Sequence, residues 1–356
     1  MERNNRTLSR RSAKVAPQSR PTIKDIALRC GVHPSTVSRA LSPSTHHLVA
    51  DDVVRRIRAT ATALGYRPNI TAAGLRTGRS GLIGVLTADI ADPGFPPILG
   101  GVAETLNAAG YATIVVDVGP HGSQQELVDQ LVARGVDGLV LGTVTLHDPV
   151  IRHCLDTSIP VVLVSRIDAG RRLPSVATDD EAGIRLAVEH LVSLGHRRIG
   201  HVAGPPDVST GALRRAGFES SMARAGLSTR EGMIETAAAY TREAGRAAAL
   251  RLLARKAPPT AIVAANDLLA FGTYDALAAR GLKCPEDVSV VGHNDMPYVD
   301  MLSPPLTTVR IAQRDMGEQA ARLLLGRIAD PAMRGTHIVL KPGLIVRGST
   351  AAPPGR

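Results

Sequence analysis

Residues 22–41 of the chain are Thr-Ile-Lys-Asp-Ile-Ala-Leu-Arg-Cys-Gly-Val-His-Pro-Ser-Thr-Val-Ser-Arg-Ala-Leu. This pattern predicts two short helices joined by a sharp turn at Gly31. Thr22 and Asp25 have the spacing of a capping box at the start of the first helix, and Pro34 suits the first position of the second. The second helix also carries several small polar side chains. Together these features indicate a helix-turn-helix that reads DNA.

An ordinary helical hairpin would fit the same stretch, but the charge distribution favours DNA. Residues 1–79 hold 15 Lys and Arg against 4 Asp and Glu, whereas residues 80–356 hold 27 against 28. The net charge of +10 therefore lies in the first quarter of the chain. A basic segment attached to a balanced domain suits a polyphosphate partner, because binding releases condensed counterions. The segment lacks the apolar face that an interfacial membrane helix needs.

Composition limits the remaining possibilities. A chain of 356 residues suits two or three domains. The three cysteines are widely separated and have no clustered histidine, so we expect no disulfide, no metal site and no cofactor. No apolar run is long enough to cross a bilayer, and the N-terminus lacks the apolar region of a signal peptide. These features predict a cytoplasmic, nucleoid-associated protein without a membrane partner.

The segments around the two helices predict a small DNA-binding region. Residues 1–20 are basic and poor in apolar side chains, which predicts a disordered arm. Residues 51–64 predict a third helix, with inward positions at Val53, Ile57, Ala61 and Leu64. Residues 67–79 predict a basic linker whose two turns of helix are too short to be stable alone. The predicted headpiece is therefore 21–66.

From residue 82 onward, apolar strands alternate with amphipathic helices. Strands are predicted at 82–86, 112–117, 138–141, 161–165, 199–203, 233–236, 261–264 and 288–291. The alternation predicts two α/β halves with parallel sheets. Ligands bind beyond the carboxyl ends of such strands, so two facing halves would hold a small molecule between them. The candidates for this cleft follow strands or start helices: Asp89, Phe95, Ser165, Arg166, Arg214, Asn266, Asp267 and Asn294.

Over residues 21–349 the chain resembles the lactose/galactose-repressor (LacI/GalR) family of bacterial transcription regulators. The matching segments include residues 22–27, Leu-Gly-Tyr-Arg-Pro-Asn at 64–69, Ser-Leu-Gly-His-Arg-Arg-Ile at 193–199, Ala-Asn-Asp at 265–267 and Pro-Pro-Leu-Thr-Thr-Val at 304–309. The resemblance implies a small all-α helix-turn-helix headpiece, a hinge helix at 67–79, and a two-subdomain α/β core like type I periplasmic binding proteins.

The resemblance also implies how the core and tail are divided. An N-subdomain would take about 80–179 and 308–334, and a C-subdomain about 180–307 and 335–349, so that the chain crosses near 180, 307 and 335. Residues 350–356 would form a short tail without a tetramerising heptad repeat, which favours a dimer.

By the same resemblance, a homodimer binds a pseudo-palindromic operator as a repressor, under the control of a sugar or sugar derivative. Pro34 and Ser35 occupy positions that family members use to discriminate bases, and here they predict weak direct readout. Pro34 also suits a helix start with no other role. Leu75 matches a leucine that wedges into the minor groove, although a buried linker leucine is the alternative. The other predicted DNA contacts are Thr22, Thr36, Ser38, Arg39, Asn69 and Arg76.

In the cleft, Arg214 matches an arginine that binds effector oxygens, with a surface ion pair as the alternative. Asp267 either contacts the effector or caps the following helix. Ser165 and Asn294 stand where the family usually has acids. We therefore expect a roomier, less negative pocket that accepts a ligand with an acidic group or an atypical sugar.

Two other classes of protein compete with this interpretation. A solute-binding protein or sensor would share the core, but it would need a signal peptide and would have no use for a basic headpiece. An enzyme would show a phosphate-binding loop, a nucleophile elbow or a metal cluster. His196 and His293 are the best catalytic candidates; His196 suits a helix end, and His293 has no neighbouring nucleophile. We predict no catalytic residues.

Overall fold

The computed structural model describes residues 21–42, 45–67, 79–119, 122–228, 233–333 and 335–355. The predicted arm at 1–20 and most of the predicted hinge, with Asn69, Leu75 and Arg76, lie outside these described residues. The chain divides into two compact units between residues 76 and 77. We call them the headpiece and the core.

The headpiece contains three helices, α1 (Ile23–Cys30), α2 (Pro34–Leu41) and α3 (Asp51–Ala63). The predicted capping box starts α1: the Thr22 amide donates to Asp25 Oδ2 at 2.7 Å, and the Asp25 amide donates to Thr22 Oγ1 at 3.4 Å. Gly31 ends α1 with φ +62°, a left-handed conformation that favours glycine. Pro34 is the first residue of α2, as predicted.

The three helices enclose a small apolar core. Ile26, Val37 and Ile57 are completely buried at its centre. In α3 the buried positions are Val54, Ile57 and Ala61, while the predicted inward positions Val53 and Leu64 are half-buried and pack against the same core. Steps of three and four residues from Val54 keep one face of the helix toward α1 and α2.

The core is built on two six-stranded sheets. The first contains β1 (Leu82–Thr87), β2 (Ala112–Asp117), β3 (Gly138–Leu141), β4 (Val161–Val164), β5 (Ser175–Thr178) and β11 (His337–Leu340), in the order β11-β5-β4-β3-β1-β2. The second contains β6 (Ile199–Ala203), β7 (Ile234–Thr236), β8 (Ala261–Ala264), β9 (Ser289–Asn294), β10 (Thr307–Arg310) and β12 (Gly343–Ile345), in the order β12-β10-β9-β8-β6-β7. All pairs are parallel except β10 with β12.

Each sheet and its helices form one lobe. The N-lobe has α4 (Pro96–Ala108), α5 (Gln124–Ala133), α6 (Pro149–Asp156) and α11 (Gln313–Ala329); the C-lobe has α7 (Asp180–Ser193), α8 (Ser209–Arg224), α9 (Arg242–Leu253) and α10 (Asp267–Ala279). Strands such as β3 are buried on both faces, which explains their unbroken apolar runs. Helices α4 and α11 approach closely because Gly317 has no Cβ. A Cβ at this position would overlap the Ile98 carbonyl.

The chain crosses between the lobes three times. The first crossing follows Thr178, the second lies between Arg310 and Gln313, and the third between Leu340 and Gly343. The predicted boundaries near 307 and 335 were therefore wrong by several residues. Strand β10 stays in the C-lobe because it pairs with β9, and β11 returns to the N-lobe because it pairs with β5.

The described residues contain neither a membrane-spanning helix nor a cluster of metal-ligand side chains. None of their helices combines the length and apolar character needed to cross a membrane. In this part of the chain, no three His, Cys, Asp or Glu side chains lie close enough together to hold a metal ion.

Candidate DNA-binding helix and ligand cleft

Helix α2 presents a polar face away from the headpiece core. Val37 and Ala40 point inward, whereas Ser35 and Arg39 are exposed. The other predicted contacts, Pro34, Thr36 and Ser38, are half-buried at the edges of the same helix. The helix thus keeps its polar side chains available for base edges and phosphates.

Two hydrogen-bonded groups lie at the starts of α1 and α2. The Thr22 hydroxyl donates to Asp25 Oδ2 at 2.7 Å, and these bonds hold the pKa of the Asp25 carboxyl below its usual range. The hydrogen of Thr22, a predicted DNA contact, is therefore engaged within the headpiece. The sequence pattern did not single out His33, which is the N-cap of α2 and accepts from the Ser35 amide. Its place before a proline at the first helical position was the available signal.

A cleft of about 720 Å³ lies between the two lobes of the core. This volume falls within the roughly 300–1,000 Å³ usual for small-molecule sites. The carboxyl ends of β1 and β4 contribute to its N-lobe wall, and the end of β9 contributes to its C-lobe wall. The structure brings five of the predicted residues to its lining: Asp89, Phe95, Ser165, Arg166 and Asn294.

Arg214 was predicted to line the cleft, but it does not. Its guanidinium is buried, donating from Nε to Asp180 Oδ1 at 2.7 Å and from Nη1 to the Ala265 carbonyl at 2.6 Å. Nη2 lies 3.4 Å from Oδ1 of Asn294. Burial raises the pKa of the Asp180 carboxyl, and the guanidinium opposes that shift. Among the described residues, Asn294 is the lining residue to which Arg214 is hydrogen-bonded, and its buried partners hold its guanidinium beneath the cleft wall.

Asn266 and Asp267 also lie outside the lining, contrary to the prediction. Asn266 is the N-cap of α10 and accepts from the Leu269 amide at 2.9 Å. Asp267 is completely buried; its Oδ1 accepts from the Thr308 hydroxyl at 2.6 Å and its Oδ2 from the Met296 amide at 2.8 Å. These bonds tie the start of α10 to β10 and to the loop after β9. The alternative that Asp267 caps α10 was also wrong, because Asn266 is the N-cap and Asp267 is the first residue of the helix.

The ionisation of Asp267 should make the stability of the core depend on pH. Burial raises the pKa of this carboxyl from 3.8 to about 7, against the opposing bonds from Thr308 and Met296. Between these values the folded state keeps a proton that the unfolded state releases, so the free energy of unfolding should fall as the pH rises from about 4 to 7. One such proton gives a slope of up to about 1.4 kcal/mol per pH unit.

Urea unfolding of the wild type and Asp267→Asn at several pH values between 4 and 8 measures this slope. The asparagine variant cannot ionise, so its stability should vary less with pH, whatever its absolute value. Parallel profiles for the two proteins would assign the pH dependence to other groups.

The lining of the cleft is acidic despite Ser165 and Asn294. Four carboxylates, Asp89, Asp92, Asp117 and Asp207, face one guanidinium, that of Arg166. Within the described part of the chain, no carboxylate lies within 4.0 Å of that guanidinium. Acids at other positions thus compensate for the two acids that are absent at Ser165 and Asn294. The cleft is therefore not the less negative one that the sequence predicts.

The N-lobe carboxylates are held in place by their own loops. Asp89 accepts from the Ala91 amide at 2.8 Å, and Asp92 accepts from the Gly94 amide at 2.8 Å. Each of these bonds uses Oδ1 and leaves Oδ2 available to a ligand. Burial raises the pKa of the Asp92 carboxyl.

Aromatic and amide side chains complete the lining. Phe95 belongs to the N-lobe wall and Tyr240 to the C-lobe wall, where its hydroxyl lies 3.1 Å from Thr210 Oγ1. Gln313 follows the second crossing and donates to the Gly94 carbonyl at 3.1 Å. Tyr240 and Gln313 were not predicted, although Tyr240 follows β7 as other cleft residues follow their strands.

Two hydrogen bonds join the lobes beside the cleft. The Leu146 amide donates to the Asp207 carbonyl at 2.7 Å, and the Ile167 amide donates to Ser209 Oγ at 3.1 Å. Both connect an N-lobe loop to the loop before α8 or to its first residue. A ligand that moves one wall would act on these contacts directly.

Comparison with known proteins identifies the family. Residues 22–69 match the model for bacterial regulatory proteins of the lacI family, and residues 188–350 match that for a periplasmic binding protein-like domain. The HTH-type transcriptional regulator MalR of Streptomyces coelicolor is 36% identical over 342 residues, which cover 94% of this chain and 97% of that protein. The chain belongs to the LacI family.

Solved structures agree with this assignment. The lac repressor dimer bound to operator and the anti-inducer ONPF matches with a TM-score of 0.84 at 29% identity, covering 93% of this chain and 99% of that one. The complex of the transcriptional regulator CelR with cellobiose matches with a TM-score of 0.72 at 30% identity, covering 93% and 100%. The predicted headpiece and two-subdomain core of this LacI-family chain are thereby confirmed.

Family membership also separates the alternatives that the sequence left open. MalR is an HTH-type transcriptional regulator, which is the class that the sequence favours over a solute-binding protein or an enzyme. The two candidate catalytic histidines have other partners in this LacI-family core. His196 Nδ1 lies 2.9 Å from Thr260 Oγ1, and His293 Nδ1 lies 3.2 Å from Asn294 Oδ1. Burial lowers the pKa of both imidazoles.

Proposed function

We propose that this protein is a homodimeric cytoplasmic repressor of a pseudo-palindromic operator, controlled by a sugar or sugar derivative in the cleft between its lobes. The observation that carries the proposal is the lining of that cleft. Carboxylate, amide and guanidinium groups from both lobes surround a volume suited to a small polar molecule, on the same chain as a helix-turn-helix. The lac repressor dimer bound to operator and the CelR–cellobiose complex support it by similarity.

The proposed effector contacts are the five predicted residues of the lining, Asp89, Phe95, Ser165, Arg166 and Asn294. Asp92, Tyr240 and Gln313 join them on the evidence of the structure. We propose that Arg214 acts through Asn294 and that Asp267 shapes the C-lobe wall. Asn69, Leu75 and Arg76 stay predictions from the family resemblance.

Control would work through the lobes. An effector held by residues of both walls favours one arrangement of the lobes, and DNA favours one arrangement of the headpieces. If the two preferences conflict, each ligand lowers the affinity of the other by the same factor, with a coupling of about 1–3 kcal/mol.

The charge of the cleft selects among effectors. Four carboxylates against one guanidinium disfavour an anion, whereas carboxylate oxygens accept hydrogen bonds from neutral sugar hydroxyls. The sequence suggests a ligand with an acidic group or an atypical sugar, and we therefore propose a neutral sugar in place of the acidic ligand.

Thermal unfolding and gel-shift assays test the proposed function. A DNA duplex that the wild-type protein binds is first selected from a randomised pool. Neutral mono- to trisaccharides are then compared with uronic acids and sugar phosphates of matched size. We expect a neutral sugar to raise the melting temperature and release the selected duplex. The matched anions should do neither. Stabilisation by anions alone, or selection of no duplex, would contradict the proposal.

A further inference from the structure

The first turn of α2 holds a hydrogen-bonded pair that determines what each partner can offer to DNA. Nδ1 of His33 lies 3.2 Å from the Ser35 amide nitrogen and 2.8 Å from Ser35 Oγ. A backbone amide can only donate, so Nδ1 is an unprotonated acceptor. In a neutral imidazole the other nitrogen then carries the hydrogen. The exposed His33 ring therefore presents Nε2–H as a donor.

The same geometry restricts Ser35. Because Nδ1 is an acceptor, the Ser35 hydroxyl donates its hydrogen to it and keeps only lone pairs for other partners. Pro34, between the two residues, has no N–H and no polar side-chain atom. The start of the helix thus presents one donor, at His33, and one acceptor, at Ser35.

We propose that His33 is a base-reading residue of this regulator. N-terminal residues of a recognition helix contact base edges in the major groove. A donor beside an acceptor complements a purine N7 together with an exocyclic amine, which is the adenine N6 amine in an A·T pair and the cytosine N4 amine in a G·C pair. His33 Nε2–H donates to the purine N7, and Ser35 Oγ accepts from the exocyclic amine. The proposal rests on operator binding and supplies the readout that Pro34 and Ser35 alone lack.

A base contact can be separated from the capping role of His33. His33→Ser keeps a side chain that caps helices well but removes the imidazole, whereas His33→Ala removes both. Duplexes are selected from a randomised pool with the full-length wild type, and each variant is then measured on the selected and a scrambled duplex at several salt concentrations. Thr62→Ala, an exposed change on α3, is the control.

We expect His33→Ser to lose the wild type's preference for a purine at one position of each half-site. Its affinity for the selected duplex should fall about tenfold or more, with less than a twofold change on the scrambled duplex and an unchanged salt dependence. Replacing the purine at that position by its 7-deaza analogue should weaken binding by the wild type and have no further effect on His33→Ser.

Three other outcomes would overturn the inference. Equal losses on both duplexes, with a shallower salt dependence, would make His33 a phosphate contact. Wild-type behaviour of His33→Ser together with a weak His33→Ala would leave it a helix cap alone. If the wild type selects no sequence, operator binding itself fails, whereas the other outcomes leave operator binding intact.

Discussion

Replacing Arg214 by alanine should destabilise the core by about 3–5 kcal/mol, the usual cost of removing one partner of a buried ion pair. The Asp180 carboxylate would lose the guanidinium that lies 2.7 Å away, at a site where both side chains are buried. The Ala265 carbonyl would lose its donor as well. This outcome differs from the one that the family resemblance implies, which is a stable protein that no longer responds to its effector.

The neighbouring Arg215 provides a matched control. It pairs with Glu219 on the surface of the same helix, with each side chain about 45% exposed. Arg215→Ala should therefore change the free energy of unfolding by less than about 1 kcal/mol. Urea unfolding of both variants at pH 7 makes the comparison.

The pH dependence of the stability lost in Arg214→Ala identifies the cause of that loss. Without the guanidinium, the pKa of the buried Asp180 carboxyl should rise further, because the attraction that opposes its upward shift is gone. A protonated Asp180 costs less free energy to bury than an ionised one. The loss in free energy of unfolding that Arg214→Ala causes should therefore shrink as the pH falls toward 5. A fully stable Arg214→Ala that fails to bind any sugar would instead show that Arg214 is a ligand contact.

The fold was largely predictable because burial leaves a simple trace in the sequence. Strands β3, β6 and β8 have the bounds that their apolar runs predict, since central parallel strands are buried on both faces. The edge strand β2 also has its predicted bounds. The pattern predicts no strand at Ser175–Thr178 or His337–Leu340. These strands are short and mix polar with apolar residues, and β11 joins its sheet only through pairing with β5, about 160 residues earlier.

The site was predictable to the extent that topology decides it. Asp89, Ser165 and Asn294 reach the cleft because residues at or just beyond the carboxyl ends of parallel strands face it. The position of Arg214 on α8 does not reveal that Asp180, 34 residues earlier, holds its guanidinium beneath the wall. Long-range pairing of this kind is a property of the packed structure, and so is the His33–Ser35 bond that orients the imidazole.

Ile57→Ala should abolish DNA binding and leave the core intact. Ile57 is 0% exposed and packs with Ile26 and Val37 at the centre of the headpiece. Truncating a buried isoleucine costs about 2–5 kcal/mol, and a unit of roughly 45 residues has little stability to lose. Because the core is a separate compact unit, its unfolding transition should keep the wild-type midpoint. Gel shifts with the selected duplex and thermal unfolding of the full-length chain measure the two effects.

Leu28→Ala is the matched control, because this leucine is 85% exposed on α1 and its truncation creates no cavity. Its stability should stay within about 0.5 kcal/mol of the wild type. Wild-type DNA binding by Ile57→Ala would show that the headpiece tolerates a cavity at its centre. A lower midpoint for the core would show that the two units do not unfold independently.

The same pair of variants tests whether the headpiece transmits the effector signal. By linkage, operator DNA must change effector affinity by the factor with which the effector changes operator affinity. Leu28→Ala should therefore bind a neutral effector more weakly when the selected duplex is present. Ile57→Ala should bind it with one affinity whether or not DNA is added, because its headpiece no longer holds the duplex. If DNA still changes the effector affinity of Ile57→Ala, the core itself must contact DNA. The coupling between DNA and effector would then not depend on the headpiece.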